Sequence, residues 1–355
     1  MSAADLTPVQ PHHRFDEARL AAYLAGHLPD FKPPLTVQQF RGPTASPAFM
    51  LHSPGRNFVL RKRSLPRKGC SMAESIERDF GLLRALHGAG LPVGQPQLAC
   101  ADDKVIGAPF YVLDYVPGRH FRDPNLPGMD PKQRQAHYEA MAETLARLHS
   151  LLPAQTGLPA NGSGLDYLTR QVAALTEQYR VNATDDIPAM ERLLDWLPAH
   201  LPEDNVTSLM HGNFRLDSLT FHPSEPRVVA VHDWDLALIG HPLADLAINC
   251  MPWHVTIPGM GSLQGVDFIE SGIPGEPDYL SAYCRHSTRA TIPHWNFYLA
   301  FALFRVAVMA QGIVKRGGNG SPTNPAALQA LKVYGALVRS VANQAWNLID
   351  GSDDD

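Results

Sequence analysis

No two of the four cysteines, Cys70, Cys100, Cys250 and Cys284, form a CxxC pair, so a reduced, cytoplasmic chain is expected. Charge of one sign does not dominate either. Thirty Lys and Arg against 35 Asp and Glu leave a net charge of -5 at pH 7, which gives no electrostatic reason to expect nucleic acid or an anionic membrane as a partner. The opening stretch MSAADLTPVQPHHRFD has no apolar h-region, so no secretory signal is expected. The most apolar run, 295–314, is interrupted by Asn296, Arg305 and Gln311 and reads as a buried helix rather than a membrane span. No internal repeat is visible. The GGNG at 317–320 lacks the following Lys-Ser/Thr of a phosphate loop and is better explained as a linker between helices.

What is present, over 355 residues, suffices for one large or two ordinary domains. A short helix is expected over 15–27, with Leu20, Tyr23 and Leu24 on one face. Three β-type runs follow at 35–40, 48–52 and 58–62, and connections this short leave room only for antiparallel pairing. After Gly69, Ser71 with Glu74 three residues on has the form of a capping box. The helix it opens carries Ile76, Phe80, Leu83 and Leu86 as an apolar stripe and stops at Gly88-Ala89-Gly90. FYVLDY at 110–115 reads as a further strand.

The composition changes at Val116-Pro117-Gly118. From Pro131 the chain is largely helical, with Met141, Leu145, Leu148 and Leu152 on one face and another helix over 167–179. Three helical segments are expected beyond Asp278, the last capped by Asn324 with Pro325 in its first turn. The pattern predicts an α+β fold of two lobes: a small antiparallel β lobe with one helix, and a larger, mainly helical lobe, with a nucleotide cleft at their junction. The expected boundaries are a flexible segment at 1–14, a nucleotide-binding lobe at 15–116, a helical lobe with catalytic loop and acceptor site at 117–350, and a disordered tail at 351–355.

The stretch 209–253 organises the rest. His211-Gly212-Asn213 is followed, five residues after Asn213, by Ser218, and then by a β-rich run ending at His232-Asp233-Trp234. That is the layout of a kinase-type catalytic loop and the metal-binding aspartate behind it, with both polar loop positions altered. Three blocks stand in order: PFYVLDYVPGR (109–119), HGNFRLDSLTFHP (211–223) and VHDWDLALIGHPLADLA (231–247). Through them the chain resembles the aminoglycoside phosphotransferase/choline kinase superfamily, of protein-kinase-like fold, over roughly 15–350. Within it, the chain is most similar to the branch fused in some proteins to acyl-CoA dehydrogenases.

The resemblance implies transfer of the γ-phosphate of ATP (or GTP), with Mg, to a hydroxyl of a small molecule. Such transfer depends on positioning and charge neutralisation more than on covalent chemistry. Carried over, the aspartate that accepts the hydroxyl proton falls on Asn213, and the metal ligands fall on Ser218 and Asp233. An amide takes up no proton at neutral pH, although it can hydrogen-bond a hydroxyl. Loss of a general base typically costs ~10²–10⁴-fold in rate. Ser218 offers an oxygen on a shorter arm than Asn, and Asp217 beside it is out of spacing. His211 has two readings, a buried histidine bonding the loop backbone or a participant in chemistry. The same holds for His241, with Asp245 expected to bond back to the catalytic loop. Arg215 is expected either to reach substrate or phosphate or to lie on the surface.

In the small lobe, the turn expected to approach phosphates is RGPTASPAF (41–49), with one glycine, with Pro43 lacking an N–H, and with Ser46 where the family tends to have Asn. Arg61 falls in register with the phosphate-binding lysine. Alternation along the strand lets only one of Arg61 and Lys62 face the cleft. Asp79 is Arg61's expected helix partner and Glu77 the second choice. Leu113, Asp114 and Tyr115 look like the hinge that bonds an adenine edge. Trp253, His254, Trp295 and Tyr298 could line an acceptor pocket or belong to the core.

Two functions follow. One is a kinase whose acceptor is a hydroxylated acyl compound or another metabolite rather than an antibiotic. The other is a pseudokinase, a nucleotide- or ligand-binding module without turnover, supported by the joint departures at Asn213, Ser218, Pro43 and Asp79. A metal-dependent hydrolase using His211, His222, His232, Asp233, Asp235 and His241 is a third class, but these histidines have no HxxxH or HxH spacing. The oligomeric state is left open.

Overall fold

A computed structural model describes residues 6–41, 47–63, 65–67, 69–160, 162–318 and 325–350. In chain order the elements are β1 (Leu6–Thr7), α1 (Glu17–His27), β2 (Thr36–Phe40), β3 (Ala48–Ser53), β4 (Arg56–Lys62), α2 (Met72–Gly88), β5 (Pro96–Cys100) and β6 (Phe110–Asp114). Then come α3 (Pro131–His149), α4 (Gly164–Asn182), α5 (Pro188–Ala199), β7 (Ser208–Met210), β8 (Leu219–Phe221), β9 (Val228–Val231) and β10 (Leu238–Gly240). The chain finishes with α6 (Pro242–Cys250), α7 (Phe268–Ser271), α8 (Glu276–His286), α9 (Trp295–Gly318) and α10 (Pro325–Asp350). Two compact units result. The first joins Met1–Phe121 to Leu152–Leu158 and Asp217–Leu236; the second joins Arg122–Leu151, Pro159–Leu216 and Ala237–Asp355. The fold is α+β, as expected.

The first unit is built on a six-stranded sheet in the order β1-β2-β3-β4-β6-β5, with every pair antiparallel. Between β3 and β4, Pro54 presets the turn and Gly55 takes φ +84°, which a Cβ would disfavour. Alternate strand residues separate into two apolar faces. Phe49, Leu51, Phe58, Leu60, Phe110 and Val112 pack with Leu20 and Leu24 of α1, whereas Met50, Val59, Ala48 and Phe40 form a smaller cluster. The capping box is made: the Ser71 hydroxyl accepts from Glu74 N–H at 3.1 Å and the Glu74 carboxylate from Ser71 N–H at 2.6 Å. Ile76, Leu83 and Leu86 are buried as expected, but Leu82 joins them in place of Phe80, which is half-buried.

Residues 6–13 differ from the flexible lead-in expected of them. Leu6 and Thr7 pair with Phe40 and Gln39, and buried His13 bonds the Gln39 amide at 2.9 Å. Lys62, on the strand face opposite Arg61, explains the attachment. Its Nζ donates to the His13 carbonyl at 3.0 Å and lies 5.2 and 5.5 Å from the ring centroids of Phe15 and Phe49. Burial lowers its pKa.

The β8–β9 hairpin belongs to this unit too. Arg119 N–H donates to the Phe221 carbonyl at 2.8 Å and Phe221 N–H returns to Arg119 at 2.9 Å. This close approach requires Gly118, where a Cβ would run into the Phe221 carbonyl and the Thr220 methyl.

The second unit is helical. α9 is the apolar stretch, and 72% of its most apolar window is buried, against α10, α6 and α4. α3 ends at His149, so Leu152 is not on its apolar face; it lies in a separate turn and is exposed. α5 was not anticipated: Pro188 opens it and Met190, Leu193, Leu194 and Leu197 are buried. Pro325 starts α10. Pro43, Ser46, Asn319, Gly320, Asn324 and the tail 351–355 lie outside the described residues.

Gly118→Ala is expected to lower the stability of the first unit by about 1–3 kcal/mol, the usual cost of forced overpacking. A shift of the urea midpoint checks it, and an unchanged midpoint would show that the hairpin can move aside.

Candidate functional site

In the first unit the functional groups are set by the end of β4. Arg61 and Arg63 lie two apart and so share a side, while Lys62 faces away. Arg61, almost fully buried, pairs with Asp233 through Nη2 and approaches Asp235 at 3.6 Å through Nη1. The expected Arg61–Asp79 pair is not formed. The Asp79 carboxylate, 3% exposed, is taken by Arg63 (Nε 3.0 Å, Nη2 2.7 Å), by Arg67 at 2.7 Å and by Arg78 at 3.3 Å. Glu77 is exposed. Arg63 Nη2 reaches a second carboxylate, Asp235, at 2.9 Å. Burial works against the charge of Arg61, but Asp233, the Tyr111 hydroxyl and Asp235 outweigh it and raise its pKa. Tyr111 itself is pushed up by burial.

Asp233 lies two residues beyond Val231, the last residue of β9, and adopts φ +65°, a left-handed conformation that Asp tolerates better than most residues but still at some cost. Its carboxylate is 40% exposed. Pairing of Leu219 with Val231 places Ser218 opposite His232, and His232 N–H donates to the Ser218 carbonyl at 2.8 Å. Asp233 is the residue that follows His232 in this pair. Thr220 Oγ1 sits between His232 Nε2 at 2.6 Å and His120 Nε2 at 2.8 Å.

Arg61, Tyr111, Leu113, Tyr115, Val116 and Asp233 line a cleft that encloses about 20 Å³, space for a single water. Asp114 N–H is spent on Gln95 (2.9 Å) and Tyr115 N–H on Asn57 (3.1 Å). An adenine edge would have to use other groups of this segment than those two donors. Arg63 was missed as a site residue, and Asp235 was named only for the hydrolase alternative. Strand alternation from Arg61, and the D-W-D repeat, were the signals available.

In the second unit β7 leads into the loop 211–215 and is paired antiparallel with β10. Asp245 on α6 is fully buried and accepts from His211 N–H at 2.6 Å and Gly212 N–H at 2.9 Å. Asp245 thus bonds back to the loop, as expected. His149 Nε2 lies 3.3 Å from the same carboxylate, and its Nδ1 is 2.8 Å from the Tyr283 hydroxyl. Burial opposes ionisation of Asp245, but the His149 and His211 interactions prevail and hold its pKa below the ordinary value. Gly212 takes φ +80°. Arg305 on α9 donates to its carbonyl at 3.1 Å, and Asn249 Nδ2 to the Phe214 carbonyl at 3.3 Å.

The loop backbone is thereby fastened at three residues, while the Asn213 and Arg215 side chains remain half-buried. His211 is fully buried, edge-on to Phe214. His241 caps α6, its Nδ1 accepting from Leu243 N–H at 3.2 Å. Tyr298 stacks on it and is wholly buried. Trp253 donates to the Pro274 carbonyl at 3.0 Å and His254 pairs with Glu276 at 2.8 Å. Among the described residues no three His, Cys, Asp or Glu side chains converge as a metal centre.

The model of the phosphotransferase enzyme family matches residues 36–276. Acyl-CoA dehydrogenase family member 11 of Homo sapiens is 44% identical over 329 residues, 90% of this chain and 42% of that protein. The chain thus spans less than half the length of the curated relatives it matches. The crystal structure of a candidate aminoglycoside phosphotransferase from Ralstonia eutropha JMP134 superposes with a TM-score of 0.84 at 38% identity, over 95% of this chain and 99% of that one. Spectinomycin phosphotransferase, solved with ADP and spectinomycin, has the same kinase-like fold at a TM-score of 0.62 and 13% identity, over 96% and 99% of the two chains.

Asp245→Asn would turn an amide N–H₂ toward backbone donors, and each charged hydrogen bond lost is expected to cost roughly 1.5–3 kcal/mol. Because Asp245 titrates below its ordinary 3.8 when folded, its contribution is complete above that pH and is lost as the pH falls below it. Denaturant titrations of both proteins should therefore converge in strong acid. His241 gives a second window. Burial holds its pKa down to about 4 from 6.5, so the unfolded chain binds the extra proton between these values. Stability should fall from pH 6.5 to 4 by up to ~1.4 kcal/mol per unit. A His241→Gln variant whose slope matches the parent would rule this group out as the cause.

Proposed function

Because the chain belongs to the phosphotransferase enzyme family, we propose that it binds a nucleoside triphosphate, ATP or GTP, with magnesium and transfers the γ-phosphoryl group to a hydroxyl of a small molecule. The observation that carries this reading is the cleft lining of the first unit, where Arg61 and the strained Asp233 meet. Magnesium keeps several waters and takes one or two carboxylates plus substrate phosphates. The hard oxygens of half-exposed Asp233 and the Ser218 hydroxyl fit that demand, and bound magnesium would neutralise phosphate charge.

Arg61 then exchanges Asp233 for a phosphate, which also opens a cleft too small for a nucleotide as it stands. Asn213 orients the acceptor hydroxyl by a hydrogen bond and takes no proton. A loose transition state makes that tolerable, since little nucleophile deprotonation is needed early and the proton passes late to an oxygen of the transferred phosphoryl group, as the nucleoside diphosphate leaves. The relatives' association with acyl-CoA dehydrogenases supports a hydroxylated acyl acceptor.

One observation favours a second reading, binding without turnover: Asn213 stands where the proton acceptor belongs. Calorimetry with MgATP on this protein and on Asn213→Asp combined with Ser218→Asn separates the two. Binding by the parent, with the double variant turning over ~10²–10⁴-fold faster on an accepted hydroxy compound, is expected for a slow kinase. Binding by both with no transfer would leave only the binding module. Binding by neither would sink the nucleotide reading.

A further inference from the structure

We propose that Arg63 is the positioning residue that fastens α2 to the Asp233–Trp234–Asp235 segment, leaving Arg61 able to trade Asp233 for a ligand without loosening the helix. This rests on the nucleotide reading above. Arg63 is 8% exposed and contacts one carboxylate from each side: Asp79 of α2 through Nε and Nη2, and Asp235 through Nη2 at 2.9 Å. A guanidinium fork can hold two carboxylates in fixed directions, whereas an ammonium is a single point charge. Asp79 has no bond to Arg61, so nothing ties Arg61 to α2 through that carboxylate.

The resemblance assigns a single strand cation both to the phosphates and to the helix. In this chain those two tasks fall on separate side chains of one strand edge, Arg61 on the Asp233 side and Arg63 on the Asp79 side. Asp235 is the shared element: it faces Arg63 at 2.9 Å and Arg61 at 3.6 Å. Holding Asp235 fixes the far end of a three-residue segment whose near end is Asp233 at positive φ. Trp234 between them is buried, with its Nε1 donating to the Val231 carbonyl at 2.9 Å. The segment therefore has one anchor in the hairpin and one in Arg63, and the direction of the Asp233 carboxylate follows from both.

Arg67 supplies the control, since it meets Asp79 at 2.7 Å but not Asp235. Removing Arg63 leaves Asp79 with Arg67 and Arg78, so the buried carboxylate keeps cations and the fold should survive. The test measures MgATP dissociation constants by calorimetry for the parent, Arg63→Met, Arg63→Lys, Arg67→Met, Asp235→Asn and the Arg63→Met/Asp235→Asn double variant. In parallel, ¹⁹F spectra of 5-fluorotryptophan protein are recorded, with the Trp234 line assigned by Trp234→Phe.

Expected are a dissociation constant raised at least tenfold in Arg63→Met, partial rescue in Arg63→Lys, less than threefold change in Arg67→Met, and a double variant no weaker than the weaker single one. The Trp234 line should shift or broaden in Arg63→Met alone of the two Arg→Met variants. Equal effects of Arg63→Met and Arg67→Met, or additive effects of Arg63 and Asp235, would overturn the proposal. If the parent binds no nucleotide, the functional reading fails; the Trp234 line then still decides the tether, which stands if it responds to Arg63→Met and falls if it does not.

Discussion

An ionised carboxylate taken out of water must be surrounded by donors or it does not stay ionised. Each unit of this chain is arranged around one such group. In the first, Asp79 gathers three guanidiniums, Arg63 and Arg67 from the residues after β4 and Arg78 from its own helix. In the second, Asp245 draws down two consecutive backbone N–H groups and so dictates the path of the loop at 211–212. Neither carboxylate is a candidate for chemistry. Both fix where the candidate groups stand, Asp79 by way of Arg63 and Asp235, Asp245 by way of the His211-Gly212 backbone.

The cleft of the first unit is closed by attraction rather than by packing. Arg61 and Asp233 satisfy each other, and the remaining space suits one water. A ligand bearing phosphates and a cation, as the proposed function requires, would offer each partner a substitute of its own sign. Its apparent affinity is the intrinsic one reduced by the fraction of molecules in which that pair is open. The positive φ of Asp233 belongs to the same account, because a residue held at some cost is more easily re-aimed than one in a deep minimum.

How much of this the sequence disclosed depended on the range of the interaction. The capping box at Ser71 and Glu74, the alternation in β3 and β4, and the apolar run of α9 are local patterns, and the structure has them. Asp245 reaching back to His211 was legible because the three motif blocks come in a fixed order. The partner of Arg61 was not. Which of several carboxylates a guanidinium meets depends on the rotation of α2 over the sheet, and no periodicity encodes that. α5 was passed over although Met190, Leu193, Leu194 and Leu197 have helical spacing, and Leu152 was added to a helix that stops three residues short of it. Residues 6–13 were read as a flexible lead-in because Pro and His give no strand signal, and what holds them, Lys62 and Gln39, lies far along the chain.

That short β1 has a consequence for how the protein behaves among copies of itself. A sheet ends where a strand offers unpaired N–H and C=O groups, and such a row is a template for another chain. At one end of this sheet β5 begins with Pro96, which has no N–H to offer. At the other end β2 would present Gln39 and Phe40 to any passing strand, were Leu6 and Thr7 not already paired there. Two residues thus serve as a selvedge. Their detachment would uncover backbone donors and acceptors of β2 and, because Leu6 packs against the Phe40 cluster, apolar surface with them, a combination that favours strand-to-strand association.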